Sequence, residues 1–208
     1  MLFQEKNSTF AKQYSTKFST MDFKDALKFY PNFPSEGINF VDIMPFLQDR
    51  KVFGELIAEI GKRVTAPSVA APEARAFLFS APLLLTGSGV TNVIPFRKKG
   101  KLPHRGDDLQ CIEILKEYGP DRIFFRKSDI AAGQPENGVF RIAVLDDVLA
   151  TGGTAEGIAH ALGNTKIKLQ GKEYGIEVAE FIFIAELDGL NGRGRLSEIA
   201  PVHTIIHI

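Results

Sequence analysis

The sequence predicts an α/β domain built on a parallel, twisted sheet flanked by helices. Three observations predict it. The run Phe140–Leu145 is apolar at all but one position, as a strand buried on both faces must be, and Val178–Ala185 and Val202–Ile208 read as two more strands. Lys51–Val64 instead places Val52, Leu56, Ile60 and Val64 four residues apart, which is the period of an amphipathic helix. Strands that alternate with helical segments are joined by crossovers, and crossovers make parallel sheets. At 208 residues, 44% of them hydrophobic, the chain can bury such a core.

Composition removes several classes of function. Lys and Arg number 25 and Asp and Glu number 25, so the basic excess of a dedicated nucleic-acid binder is missing. The single cysteine, Cys111, excludes an internal disulfide framework and a multi-cysteine zinc site. No run approaches the roughly 20 apolar residues of a membrane helix, and the N-terminus lacks the apolar core of a signal peptide. The expectation is a cytoplasmic protein with neither nucleic acid nor membrane as partner.

Residues 1–20 are rich in Ser, Thr, Lys and Gln, with Phe3, Phe10, Tyr14 and Phe18 spaced along one helical face; they read as an extension ahead of a domain over 21–208. Tyr30–Gly37 carries two prolines and a glycine and is a turn-rich stretch, followed by Ile38–Val41. Beyond Pro67 the pattern becomes apolar runs broken by loops, with Phe77–Leu85 and Val93–Phe96 on either side of Thr86–Gly89. From Pro103 to Tyr118 the chain is polar and mixed, which fits a long loop used as a lid. After the strand Phe140–Leu145, the segment Glu156–Leu162 reads as a helix, and the last two strands complete the sheet.

The most informative string is Val144-Leu-Asp-Asp-Val-Leu-Ala-Thr-Gly-Gly-Thr154. An apolar strand runs into two adjacent carboxylates, Asp146 and Asp147, and the chain then turns through Ala150, Thr151, Gly152, Gly153 and Thr154 into a helix. Glycines let backbone N–H groups approach an anion, the threonines add hydroxyl donors, and the helix N-terminus adds its dipole, so a phosphate monoester fits the turn. The carboxylates would repel that phosphate but accept hydrogen bonds from vicinal hydroxyls. Hydroxyls on the acids and phosphate on the turn together describe a ribose 5-phosphate. Neither a Walker A loop nor a Gly-x-Gly-x-x-Gly turn is present.

This string resembles the phosphoribosyl-pyrophosphate motif of type I phosphoribosyltransferases, and Ala150 ahead of Thr-Gly-Gly-Thr is similar to their adenine branch, where hypoxanthine–guanine enzymes usually carry Asp. Four further segments extend the resemblance from about residue 22 to the C-terminus: Phe33–Asp42 (FPSEGINFVD), Glu73–Phe79 (EARAFLF), Arg97–Pro103 (RKKGKLP), and Glu117-Tyr118-Gly119 with Glu186-Leu187 and Leu190–Arg193. The resemblance implies the type I fold with a base-binding hood over about 30–47 and a flexible catalytic lid loop. It implies transfer of the 5-phosphoribosyl group from 5-phosphoribosyl-1-pyrophosphate (PRPP) to adenine, giving AMP and pyrophosphate, by a homodimer. Asp146 and Asp147 would hold the ribose hydroxyls and residues 150–154 the 5-phosphate. Arg75, Arg97 and Lys101 would place the pyrophosphate. Phe40 would stack on the purine, Leu187 would close its other side, and Asn39 and Val41 would read its edge through their backbones. Glu117 would manage the base proton beside Tyr118, under a lid that keeps water from an oxocarbenium-like ribosyl centre. Mg²⁺ is the implied cofactor, held mainly by substrate with no direct protein ligation.

Taken alone, some of these residues read more plainly: the basic run from Arg97 to Arg105 as a solvated face, Phe40 as core, Glu117 as an exposed strand residue. The chain also departs from the family at Ala76 and Ser80, where Gly is usual, and at Pro72, which has no N–H for a tight turn. The added Cβ atoms are expected to narrow the pyrophosphate loop or shift its backbone. Those departures keep two alternatives open: a phosphoribosyltransferase for another purine such as xanthine or hypoxanthine, or a ligand-sensing regulator without turnover.

Overall fold

Strand β3 (Ser68–Pro72) lies at the middle of the main sheet, and all five of its residues are buried. The computed structural model describes residues 22–116 and 119–208; the predicted extension, Glu117 and Tyr118 lie outside the described residues. A separate antiparallel pair, β1 (Lys28–Pro31) and β2 (Asn39–Asp42), holds the turn-rich segment. The main sheet adds β4 (Asn92–Lys98), β5 (Leu109–Lys116), β6 (Gly119–Arg126), β7 (Val139–Leu149), β8 (Ile167–Leu169), β9 (Lys172–Glu186) and β10 (Val202–His207). Its order is β10-β9-β7-β3-β4-β6-β5, with β8 paired to β9. The β10, β9, β7, β3 and β4 neighbours are all parallel, while β5 and β6 attach as an antiparallel pair.

The helices cover both faces. They are α1 (Arg50–Gly61), α2 (Arg75–Ser80), α3 (Lys127–Ala131), α4 (Gly153–Gly163) and α5 (Gly192–Ser197). Asp49 caps α1 by accepting from the Lys51 and Val52 amides at 2.7 and 3.1 Å, satisfying donors that the first helical turn leaves open. Strand alternation splits the interior into two cores. Val69 and Ala71 of β3, with Ala143 and Leu145 of β7, face α1, α2 and Phe46. Ala70, Ile142 and Val144 face α4, the β5–β6 pair and Phe96. Each fully buried Val, Leu, Ile or Phe among them contributes about 1.5–3 kcal/mol relative to exposure, so the central strands are fixed by both sides at once.

One difference from the sequence reading matters. Residues 103–118 are not one loop: from Leu109 onward the chain is β5, where Ile112 and Ile114 point inward and Cys111 and Glu113 outward. Inward residues from β6, Ile123 and Phe125, complete the seal, and Phe125 stacks on Phe96 with centroids 4.8 Å apart. The polar outer row masked the alternation. The run Phe77–Leu85, for which the sequence reading named no element, lies in α2 and a following short 3₁₀ turn (Ala81–Leu85).

Candidate functional site

The sheet turns around at β3, since β4 lies on one side of it and β7 on the other. Parallel strands that diverge in this way leave a crevice at their carboxyl ends, which is where open α/β sheets bind ligands. Here the crevice is edged by residues 73–75 after β3 and by the acid pair and glycine turn of β7. Strand pairing runs on past the acids to Leu149, four residues further than the end of the apolar run, so Asp146 and Asp147 are held within the ladder. Alternation then aims their Cβ atoms to opposite sides of the sheet.

Asp146 joins Ala150–Thr154 and Phe183 in the lining of one open recess of about 330 Å³. Burial, and then the negative charge and side-chain hydrogen bond of Asp147, push the Asp146 carboxyl well above the ordinary carboxylate range, against smaller opposing pulls from the Asp147 amide and then Arg75. Its Oδ1 accepts from the Asp147 amide at 2.8 Å. Asp147 is buried on the other side, where its Oδ2 lies 2.5 Å from Arg75 Nε. That oxygen makes no aligned hydrogen bond, so the ion pair is its compensation.

The turn is formed by Gly152 at φ +79°, a left-handed conformation that favours glycine. Gly153 then starts α4, leaving the first N–H groups of an eleven-residue helix directed at the recess. Helix α5 backs the turn. A Cβ on Gly152 would come within 3.2 Å of Gly192 O and 3.3 Å of Leu196 Cγ, and Arg195 Nη1 donates to Thr151 O at 3.4 Å.

The predicted cations divide. Arg75, first residue of α2, pairs with Asp147 and also lies over the Phe40 ring, 5.5 Å from its centroid. Arg97 donates through Nε to Glu73 at 2.8 Å and sits over Phe77, and Lys101 is exposed in the turn after β4. Glu73 opens the EARAFLF segment, but the sequence assigns it no role. Although burial raises its pKa, hydrogen bonds from Arg97 and Lys98 hold it below the usual carboxylate range. Nothing in the pattern marks this acid as the partner of Arg97.

The predicted base residues come from two elements. In β2, Phe40 is half-buried and Val41 is core, while Asn39 is exposed. Phe33 meets Phe40 edge-on at 5.2 Å. Leu187 follows β9, is half-buried, and donates its amide to Leu149 O at 2.9 Å. Arg75 therefore links Phe40 to the acid pair, and Leu187 is tied to the strand that carries it. Glu117 and Tyr118 are the predicted residues on which the described structure gives no position. Of the three departures, Ala76 and Ser80 are fully buried, and Pro72 ends β3 just before the cleft edge, with the Glu73 amide beyond it donating to Phe96 O at 2.8 Å.

No protein-family model matches the chain. The chain is 36% identical over 184 residues to the adenine phosphoribosyltransferase of Clostridium acetobutylicum, a match covering 86% of this chain and 94% of the relative. The crystal structure of adenine phosphoribosyltransferase from Thermoanaerobacter pseudethanolicus superposes with a TM-score of 0.73 at 34% identity, covering 89% of this chain and 98% of that one. The Saccharomyces cerevisiae enzyme, complexed with an imino-altritol bisphosphate and adenine, gives 0.69 at 32% identity over 95% and 99% of the two chains. Sequence likeness that spans nearly the whole relative, on a sheet whose switch point carries the acid pair and glycine turn, makes this chain a member of the adenine phosphoribosyltransferase family, with the type I phosphoribosyltransferase fold.

Proposed function

We propose that the crevice transfers the 5-phosphoribosyl group of PRPP to adenine, releasing pyrophosphate and forming AMP, the reaction of purine salvage. One observation carries the assignment: Asp146 and the turn Ala150–Thr154 line a single recess, so hydroxyl acceptors and phosphate donors face one ligand. The yeast relative's complex with adenine and a bisphosphorylated imino sugar supports the same pair of ligands.

In this reading the amides and hydroxyls of 151–154 seat the 5-phosphate, and the acid pair holds the ribose hydroxyls. Arg75 exchanges Asp147 for the pyrophosphate, with Arg97 and Lys101 beside it. Phe40 and Leu187 stack the purine, while Asn39 and Val41 read its edge. Glu117, with Tyr118, handles the proton of the base. The work is positioning and charge stabilisation around the anomeric carbon. Mg²⁺ is the proposed cofactor. The described donors at the cleft are hard carboxylate oxygens, which suit it, and Asp147 Oδ2 has only Arg75 to give up. The ion would ride mainly on substrate oxygens and neutralise the pyrophosphate.

The proposal extends to the whole protein: a domain over 21–208 with a hood at about 30–47, working as a cytoplasmic homodimer on small molecules. No described helix is long and apolar enough to cross a membrane.

The site is tested by calorimetric titration of AMP. Thr154→Val and Phe40→Ala are each expected to weaken AMP about tenfold, through the phosphate and the base respectively. A Glu117→Ala variant should bind AMP as the wild type does and lose turnover. Unchanged AMP affinity in both binding variants would remove the site from this crevice.

A further inference from the structure

Helix α5 starts beside the glycine turn, and the residue after its first glycine reaches the other half of the cleft. A Cβ on Gly192 would collide with Ala150 O and come within 2.8 Å of Leu149 Cδ1, so the helix start is in direct backbone contact with the turn. The next residue, Arg193, carries the densest set of hydrogen bonds near the cleft. Its Nε donates to both oxygens of the buried Glu186 at 3.0 Å, its Nη2 to Glu186 and to Thr204 Oγ1, and its Nη1 to Val202 O at 2.8 Å. Thr204 in turn donates to Glu186 Oε2 at 2.7 Å. Glu186 immediately precedes Leu187.

We propose that Gly192 and Arg193 act as a positioning unit that sets the separation between the phosphate turn and Leu187, so that the two halves of the nucleotide are seated by one short segment. The inference rests on the reading of 150–154 as the phosphate site and of Leu187 as a wall of the base site. The physical argument is rigidity. A planar guanidinium gripping a carboxylate with two donors fixes orientation as well as distance, which an ammonium cannot do. The Leu187 amide, bonded to Leu149 O, and the Asp188 amide, bonded to Ile208 O at 2.9 Å, leave Leu187 little freedom except through movement of Glu186. On the other side, only a glycine at 192 lets α5 approach the turn this closely. A displaced turn or a displaced Leu187 would each mis-seat a ligand that spans both, and misplacements of this order cost up to about a hundredfold in rate or affinity.

Steady-state kinetics separate this from a merely structural role. Arg193→Gln is expected to raise KM for adenine about tenfold while kcat changes less than about threefold, and Arg193→Lys to recover only part of the loss. Gly192→Ala is expected to raise KM for PRPP by a similar factor. On the dissociation constant of AMP, which spans both halves, the double variant should show less than the product of the two single effects, because both act on one segment. If Arg193→Gln fails to fold, Thr204→Val, which removes one arm of the network, should still raise the adenine KM two- to threefold, as about one hydrogen bond predicts. A lowered melting temperature with both KM values unchanged, or effects that multiply independently, would overturn the proposal. Leu187→Ala is the control for the underlying reading: if it leaves the adenine KM unchanged, the base-site assignment fails and this inference fails with it. If it raises that KM while Arg193→Gln does not, the positioning role alone fails.

Discussion

Asp146 and Asp147 are chemically alike and differ in what surrounds them. Asp147 has the Arg75 guanidinium against its buried oxygen, whereas Asp146 has burial and its neighbour's charge working against ionisation. A carboxyl whose pKa is raised in the folded state favours folding most below the ordinary carboxylate range, and that advantage is lost as pH rises through its raised value. Asp146→Asn keeps the acceptor for the Asp147 amide and removes the charge. It should therefore stabilise the unliganded protein at neutral pH by about 1 kcal/mol, with the gap over wild type widening as pH rises, while turnover falls at least a hundredfold; melting curves and initial rates check both. Arg75→Gln acts in the opposite sense. It leaves a buried carboxylate without its counter-charge, at a cost of about 2 kcal/mol, below the range for fully enclosed pairs because Arg75 is partly open to solvent. Arg75 adds to the Asp147 amide in pulling Asp146 down, so its loss should also move the acid limb of the pH–rate profile to higher pH. The acid pair and the turn were visible in the sequence because they are contiguous. The Arg75–Asp147–Phe40 relay was not, because its members lie in three elements and meet only once β3 and β7 are neighbours.

Elements were legible where one face decides them. α1 showed its four-residue period, and β7 and β9 showed largely apolar runs, because burial on one stripe or on both faces leaves little choice of side chain. β5 escaped because its outer row, Cys111 and Glu113, is polar while Ile112 and Ile114 seal it against the domain. That seal includes α4, where Gly157 leaves room for Ile114, a Cβ there lying 3.3 Å from Ile114 Cγ1. The segment expected to serve as a lid thus includes a packed strand over Leu109–Lys116. Ile114→Ala should cost about 2–4 kcal/mol in urea unfolding, the price of a buried isoleucine cavity. The glycine turn makes a second prediction at this scale. Gly152→Ala must hold φ near +79° and press on Gly192 and Leu196, so it should lower stability by about 1–2 kcal/mol and weaken ribose 5-phosphate binding in calorimetry. Normal phosphate affinity in a folded Gly152→Ala protein would contradict the role of that turn.

Across the whole molecule, the proposed function follows from one topological event, the reversal of strand order at β3, which sets the acid pair opposite Arg75 and brings Phe40 of β2 over the same edge. Parallel order and crossovers were predictable from the alternation of strands and helices; the reversal itself was not, since strand order is a long-range property that leaves no local pattern. Charge sets the molecule's response to acid. Glu59 and Glu186 are both held below the ordinary carboxylate range, Glu59 chiefly by hydrogen bonds from Lys62 and Arg63, and Glu186 because Arg193 and Thr204 outweigh its burial. Glu73 shares that depression. Depressed pKa values give stability that is present above the unfolded value near 4.5 and lost as pH falls through the folded values. The melting temperature should therefore decline steeply below about pH 4.5, and less steeply in a Glu186→Gln variant. The central claim is that this crevice makes AMP. Its most direct test is product formation by the purified protein with PRPP, Mg²⁺ and adenine, hypoxanthine, guanine or xanthine in turn: AMP and pyrophosphate should form in equal amounts with adenine and not appreciably with the other bases. Binding of AMP without turnover of any base, or turnover that prefers a 6-oxopurine, would contradict it.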